Sequence, residues 1–393
     1  MLYINKLSFA INKMVKKIYN YAIDNDSESL KQFESCLEND FVIAGALMPD
    51  AHSGYAAPIG SVFETKDFVV PAWVGFDIGC GLIAVKLKGK DLINEVGKNA
   101  SKIYEGVKKI VPMGMGEFNK AEKVTLETQE DFQKILSKFS EGKYNKNILN
   151  YLKNTSLKHL GTLGGGNHFI ELGHDGKDLW LIIHSGSRGI GHRIATEYMK
   201  RASNSEKNYE KTFPLNVNSE IGQEYLNLLD FGLDYALLNR LEMSKKVLMV
   251  LKNVLKIPIK EELWTNKNHN HAILERGVYI HRKGATPAKK GERGIIPANM
   301  RDGCYLVEGL GNPKFLYSSS HGAGRIMSRK KARESITMKE FSDSMIGIKG
   351  TITNDTLDEA PMAYKDINRV MDAQKKSVKI INHLRPIVNW KGK

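Results

Sequence analysis

Five short stretches of this sequence hold a histidine, cysteine, aspartate or asparagine between glycines or other small residues at the end of an apolar run. They are "MPDAHSGY" from Met48, "VGFDIGCGL" from Val74, "GTLGGGNHFIEL" from Gly161, "LIIHSGSRGIGH" from Leu181 and "SSSHGAGR" from Ser318. A sixth, "NKNHNH" from Asn266, has the polar residues without the glycines. Singly, each has a plain reading: His52 or His184 as a hydrogen-bonded histidine at a strand end, "GGG" as a turn, Cys80 as an ordinary buried thiol. Together they point elsewhere, because a chain with 11 histidines places most of them in these settings. A metal or phosphate site is the chemistry such a collection serves.

The "FDIGCG" string supplies Asp77 and Cys80, and the glycines at 79 and 81 let the backbone turn tightly enough for a carboxylate and a thiolate to face one point. Imidazoles at His168, His184 and His269 can close such a site from other segments. One carboxylate, one thiolate and several imidazoles exceed the four ligands of a single structural zinc, and a thiolate can bridge two ions. Two-metal phosphoryl chemistry follows as an expectation. No CxxC or HExxH pattern ties these scattered ligands together.

The glycine-rich turns "GTLGGGN" and "HGAGR" can turn successive backbone N–H groups into concave nests for phosphate oxygens. Neither is a Walker A loop, and neither matches GxGxxG after a clear strand. Beside them stands His321. A neutral imidazole is a competent nucleophile toward phosphorus, and the phosphoramidate it forms passes its group onward. Glycine N–H groups and Arg325 are placed in sequence to balance charge on the phosphoryl oxygens. Arg329, Lys330, Lys331 and Arg333 follow as a basic run that suits a polyanionic substrate or, more plainly, a solvated helix face.

These residues need a scaffold of strands and helices to bring them together. Helical periodicity is clearest from Ser219 to Lys256, as one bent helix or two joined near Gly232, with further helices expected over Leu92–Ile110, Thr128–Leu152 and Asp366–Leu384. Strand-like runs are "DFVV" at Asp67, "GLIAVKL" at Gly81, "HFIEL" at His168, "LWLIIH" at Leu179, "GVYIHR" at Gly277 and "CYLVEGL" at Cys304. The segment from Ile257 to Gly303 reads as loop-rich. With no fixed repeat, low-complexity tract or Pro/Ser linker, one domain over residues 1–393 is expected.

Charge and cysteine usage narrow the class. Lys plus Arg number 58 against 44 Asp plus Glu, a formal +14, which points to an anionic partner, nucleic acid first. Three widely spaced cysteines are no disulfide framework and fit a reducing cytoplasm. The N-terminal stretch from Met1 to Ile23 interrupts its apolar positions with lysines and reads as an amphipathic segment, not a signal peptide. No run reaches the roughly 18 apolar residues of a membrane span.

"FDIGCG", "GTLGGGNHFIE", "HSGSRGIG", "KGA", "SHGAGR" with "MSR", and "PMAYKDI" resemble, in order and approximate spacing, the RtcB family of RNA-splicing ligases. The resemblance runs from Met48 to the "WKG" at Trp390, close to the whole chain. It implies an α+β (mixed α/β) body with packed sheets flanked by helices around a metal and nucleotide cleft. It also implies a manganese- and GTP-dependent cytoplasmic ligase that joins RNA ending in a 3′-phosphate or 2′,3′-cyclic phosphate to RNA with a 5′-hydroxyl, tRNA or rRNA being expected substrates and a monomer the expected state. His321 matches the histidine that becomes guanylylated. Asp77 and His168 match the ligands of one manganese ion, His184 and His269 those of a second, and Cys80 the bridge between them. Asn167, Phe169, Glu171, Asn270, the loop Pro297, Ala298, Asn299 and Met300, Cys304, Gly322, Ala323, Gly324 and Lys391 match positions around the guanylate.

Four positions depart from the family pattern. Ala298 and Arg301 stand where glycines are usual, Cys304 where a serine often touches nucleotide, and Ala56 where glycine is common. These changes fall on nucleotide contacts and spare the metal ligands and nucleophile, so a divergent member that repairs cleaved tRNA or rRNA is one expectation. A metal-dependent RNA phosphohydrolase or cyclic phosphodiesterase, and a non-catalytic RNA-binding paralogue, are the competing readings.

Overall fold

In "GLIAVKL" and "LWLIIH" apolar residues occupy odd and even positions alike, so a strand built from either must bury both faces. The computed structural model, which describes residues 16–24, 26–114, 116–139 and 144–392, places both in an eight-stranded sheet. Its strand order is Arg293–Pro297, Cys304–Gly309, Val378–Lys391, Phe169–His174, Leu179–Ser185, Gly81–Lys88 and Lys260–Asn268, with Lys349–Gly350 added alongside Val378–Lys391. One face carries Ile83, Val85, Leu87, Leu181 and Ile183 and packs on Met243, Val247 and Leu251 of the long helix Glu220–Leu255. The other face carries Leu82, Ala84, Trp180 and Ile182, covered by Ile295, Leu306 and Leu384. Each of these leucine, isoleucine and valine side chains contributes roughly 1.5–3 kcal/mol by leaving water.

A second, five-stranded sheet runs Lys17–Asn20, Val42–His52, Ile59–Thr65, Val278–Lys283 and Asn270–Glu275. The chain passes from the first sheet to the second at His269, between strands Lys260–Asn268 and Asn270–Glu275. It leaves the second sheet at Gly284 for the short pair Ala285–Pro287 and Ser318–Ser320, which ends at His321. The seam between the sheets is therefore where the reactive residues gather.

Several expected elements take another form. The helix expected over Asp366–Leu384 ends at Ala373, and Val378–Lys391 is a strand, because its β-branched residues are paired on both edges by neighbouring strands and Pro386 lies within it. Leu92–Ile110 is two helices, Leu92–Lys98 and Ala100–Ile110, broken at Asn99. Thr128–Leu152 is likewise two, Leu126–Ser137 and Lys146–His159. "DFVV" supplies only the strand Phe68–Val69 before the helix Pro71–Val74 begins. The loop-rich segment holds five strands between Lys260 and Pro297: Val278–Lys283 is the expected "GVYIHR" strand, and the polar, largely exposed Lys260–Asn268 is held by pairing with Gly81–Lys88. By contrast Ser219–Lys256 is one helix, capped by the Ser219 hydroxyl at Gly222 N and closed by Lys256 in the left-handed region. Gly232 within it admits Ile78, whose Cγ2 would stand 2.8 Å from an added Cβ. Residues 1–15 of the amphipathic N-terminal stretch lie outside the described residues.

Candidate metal and nucleotide site

Strand register brings the ligands to one end of the large sheet. Phe169 pairs with His184, Leu82 with His184, and Gly81 with both Ser185 and Asn268, so Cys80, His168, His184 and His269 meet at adjacent strand ends. The His269 N–H donates to the Cys80 carbonyl at 2.7 Å, and Gly79 N–H to the Asn270 carbonyl at 2.9 Å, fastening the metal loop across the seam. Gly186 leaves room for Asp77: a Cβ there would stand 2.2 Å from its Oδ1.

The side chains converge as the sequence implies. Asp77 Oδ2 is 2.9 Å from His168 Nε2. Cys80 Sγ is 3.3 Å from His168 Nε2 and 3.3 Å from His184 Nε2, and His184 Nε2 is 3.3 Å from His269 Nε2. The ligand atoms of Cys80, His168 and His184 lie within 4.8 Å of one another, all three buried. His184 gives its Nδ1–H to the Asn167 carbonyl at 3.1 Å, and His168 its Nδ1–H to the Leu163 carbonyl at 3.0 Å, which turns both Nε2 lone pairs inward. With Nδ1 committed to that carbonyl, the Arg188 guanidinium 3.1 Å from it is a neighbour and not a donor.

Electrostatics suit a cation. Burial, aided by neighbouring histidines, holds His184 and His269 well below the ordinary imidazole range, so both stay in the neutral ligand form. Burial and then the Asp77 carboxylate push the Cys80 thiol well up. A bound divalent ion reverses that logic and deprotonates a coordinating thiol. The donor set therefore fits a metal centre, with Cys80 between the Asp77–His168 and His184–His269 pairs.

His321 stands beside this cluster, its ring centroid 4.9 Å from that of His269. Its orientation comes from a residue the sequence analysis passed over in favour of His52. Asp50, fully buried at the end of strand Val42–His52, takes the His321 Nδ1–H at 2.7 Å, leaving Nε2 free as a lone pair. The same oxygen accepts the backbone N–H groups of His321 and Gly322 at 3.1 and 3.2 Å. Burial raises the Asp50 pKa, but its attraction to His321 outweighs that and holds it low, so it is a carboxylate. Gly324, at φ 76°, lets the turn close: a Cβ would lie 2.2 Å from the Asp50 carbonyl oxygen.

The positions expected around a guanylate divide into two groups. Phe169, Glu171, Cys304 and Lys391 are buried together: Cys304 Sγ is 3.5 Å from Glu171 Oε1, Asn389 donates to Glu171 Oε2 at 3.0 Å, and Lys391 Nζ lies 5.8 Å from the Phe169 ring. Lys391 is held by Glu359 at 2.5 Å. Ala298, Met300 and Ala323 are buried too, and Ala323 N–H donates to the Pro297 carbonyl at 3.0 Å, tying that loop to His321. Asn270 is committed to backbone and Asn299 to its own loop, where its amide also donates to Asp302 Oδ2 at 2.8 Å. Asn270 donates to the Asp77 carbonyl at 3.1 Å and accepts from Gly284 N–H at 2.8 Å, while Asn299 Oδ1 accepts from Arg301 and Asp302 N–H, both at 3.0 Å. Asn167 is exposed, and Gly322 lies buried beside Asp50.

The two arginines of the basic run are already engaged. Arg329 and Arg333 pair with Asp358 at 2.6 and 2.7 Å, and Arg329 and Arg325 with Glu359 at 2.6 and 3.2 Å. Lys391 first, then Arg329, overcomes burial and lowers the Glu359 pKa to about 2, making it the anion that gathers these cations.

Sequence reasoning also missed Asn239 and Arg240, polar residues set in the apolar face of the long helix. Asn239 accepts from Gly161 N–H and Thr162 N–H at 2.8 and 3.2 Å and donates to the Gly186 carbonyl at 3.0 Å. Arg240, fully buried, donates to the Gly79 and Ser185 carbonyls at 2.9 and 2.8 Å and to Asn266 and Asn268 at 2.7 and 2.6 Å. A charged side chain inside a leucine-rich helix was the available signal. Arg240→Met should cost about 3–5 kcal/mol in urea unfolding, since four buried oxygens lose one charged donor, and should lower bound metal as well. Wild-type stability and metal content in that variant would refute the bracing role.

The family model for "tRNA-splicing ligase RtcB" matches residues 32–392. The chain is 33% identical over 410 residues to the RNA-splicing ligase RtcB of Escherichia coli (strain K12), covering 96% of this chain and 97% of that protein. It is 33% identical over 408 residues to RNA-splicing ligase RtcB1 of another Escherichia coli strain, ATCC 25922, with 96% and 97% covered. Similarity to the tRNA-splicing ligase RtcB of Methanococcus maripaludis is 30% over 411 residues, with 83% and 82% covered.

Proposed function

Because the chain belongs to the RtcB family of RNA-splicing ligases, we propose that it is an RNA ligase acting in tRNA splicing or RNA repair, as one domain whose His321 carries GMP. The substrates are RNA ending in a 3′-phosphate or 2′,3′-cyclic phosphate and RNA beginning with a 5′-hydroxyl. The observation that carries this reading is the His321 imidazole, oriented by Asp50 and set against the Cys80, His168, His184 and His269 cluster.

Asp77 and His168 would hold one manganese ion, His184 and His269 another, and Cys80 both. When bound, the metal supplies positive charge that stabilises phosphoryl oxygens. His321 Nε2 attacks the α-phosphorus of GTP, so an N–P bond forms, the P–O bond to the β-phosphate breaks and pyrophosphate leaves. Asp50 keeps the Nδ1 proton in place throughout. An oxygen of the RNA 3′-phosphate then displaces His321, and the 5′-hydroxyl oxygen attacks the activated 3′-phosphorus, losing its proton as GMP departs. Buried, unbridged Cys36, Cys80 and Cys304 support a reducing, cytoplasmic setting, and no helix of the described residues is long and apolar enough to cross a membrane. Incubating the protein with labelled GTP and manganese tests the reading: an acid-labile, alkali-stable GMP adduct is expected. Phosphate release from RNA without nucleotide, and no adduct, would overturn it in favour of a hydrolase.

Glu171 predicts a pH effect on GTP binding. Burial raises its pKa from 4.5 to about 7, against the opposing hydrogen bonds of Asn389 and Cys304. A raised folded pKa means that its stabilising contribution is full below 4.5 and is lost as pH rises through about 7. On the reading that Glu171 contacts the guanylate, a carboxylate offers both oxygens to N–H donors of the base only when ionised, so affinity runs the other way: GTP should bind about tenfold more weakly at pH 6 than at pH 8. Calorimetry on Glu171→Gln should show no such slope, and an equal slope there would exclude Glu171 as its source.

A further inference from the structure

Three aromatic rings form a row that begins at the metal loop and reaches solvent. Phe76, next to Asp77 in sequence, has Tyr55 edge-on at 5.8 Å between centroids and His192 nearly parallel at 4.8 Å. They come from three elements: the loop after strand Val42–His52, the loop after helix Pro71–Val74, and helix Arg188–Ser203. Phe76 is half-buried against the core, whereas His192 is exposed and Tyr55 is 66% exposed. A tyrosine and a phenylalanine meeting at the surface leave much apolar ring area to water.

Two cations lie near the same row. Lys283, buried and donating to the Ala72 carbonyl at 3.2 Å, has its Nζ 5.9 Å from the Tyr55 ring centroid. The residue after Lys283, Gly284, lies against the nucleophile, since a Cβ there would be 3.1 Å from His321 Cε1. Arg193, following His192, has its guanidinium 6.0 Å from the Tyr151 ring; its Nε is buried while the rest of the side chain is partly exposed. The acids near this stretch include Asp77, placed in the metal site, Glu197, 3.8 Å from Arg193, Glu210, whose charge acts on Lys283, and Asp26, which accepts from Ser53 N–H at 3.0 Å. Exposed rings on a chain of formal net charge +14 are what unpaired nucleotides require, base faces stacking on the rings and phosphates drawn by the charge.

We propose that Tyr55, Phe76 and His192 form a stacking platform for the unpaired nucleotides of RNA next to the junction. The identity of the RNA ends rests on the ligase reading; the stacking does not. It holds single-stranded RNA on the Asp77 side of the metal cluster, away from the buried group of Phe169, Glu171, Cys304 and Lys391. Sequence is read only weakly, since every base has a face to stack.

Fluorescence anisotropy with a labelled single-stranded RNA and a blunt duplex of equal length tests this on the full chain. Tyr55→Ala and His192→Ala should each weaken single-strand binding about tenfold while leaving duplex binding within about twofold, and Tyr55→Trp should restore it. Thermal unfolding midpoints check that the exposed substitutions leave the fold intact. Unchanged single-strand affinity, or equal loss for strand and duplex, overturns the platform. GMP-adduct formation without RNA separates the two readings: a wild-type protein that stacks RNA but forms no adduct contradicts the ligase and keeps the platform, and the reverse result keeps only the ligase.

Discussion

His321→Ala should form no GMP adduct under conditions where the wild-type protein is fully labelled, while binding metal as the wild type does. The separation follows from geometry. His321 adjoins His269 but is tied through Nδ1 to Asp50, outside the chain of contacts linking Asp77, His168, Cys80, His184 and His269. Asp50→Asn refines the test. Asparagine still accepts the backbone N–H groups of His321 and Gly322, but it loses the charge that stabilises a ring bonded to phosphorus at Nε2 while protonated at Nδ1. Adduct formation should slow by roughly 10²–10⁴-fold, the range for a group that controls a proton at the reacting centre. Intact-mass spectrometry reads the adduct and elemental analysis the metal. Full labelling of His321→Ala would remove the nucleophile from this account, and an unchanged rate in Asp50→Asn would remove its positioning residue.

Cys80→Ala should lose metal and every later step. Sγ stands 3.3 Å from both His168 and His184, so its deletion takes one ligand from each half of the site at once. Manganese affinity should fall at least about 100-fold, the upper end of what disturbing even a ligand's supporting partner costs. The fold should survive, because a buried thiol packs as a small apolar group and alanine leaves only a small void. Cys80→Ser keeps an oxygen in the same place and should retain part of the binding, hard ligands suiting manganese. A Cys80→Ala protein that binds two ions with unchanged affinity would eliminate the bridge.

Glycine-bracketed reactive residues were legible because turn chemistry is local. A carboxylate and a thiolate around a glycine constrain a few backbone angles and one point in space. Strands with both faces apolar were legible for a similar reason: "LWLIIH" cannot stand at a surface. The strand Val378–Lys391 was not, since its apolar spacing fits a helix as well as a strand, and pairing with Cys304–Gly309 and Phe169–His174 decides between them. Between Lys260 and Pro297 the strand Val278–Lys283 was legible as "GVYIHR", whereas the polar Lys260–Asn268 has no apolar signature and is created by its partner Gly81–Lys88 across the sheet.

By itself the sequence picked out side chains whose chemistry suits metal binding and attack on phosphorus, and the glycines that turn the backbone beside them, because residue type and near-neighbour spacing are enough for that. Tertiary structure alone decided that Asp50 holds the proton of His321, that Asn239 and Arg240 brace the metal loops from a distant helix, and that Glu359 takes up the arginines that the sequence offered to substrate. Such pairings form where burial leaves a polar group no water and obliges it to find a partner. That partner lies 271 positions away for Asp50 and His321, and 30 for Arg329 and Glu359, separations over which no local pattern carries information.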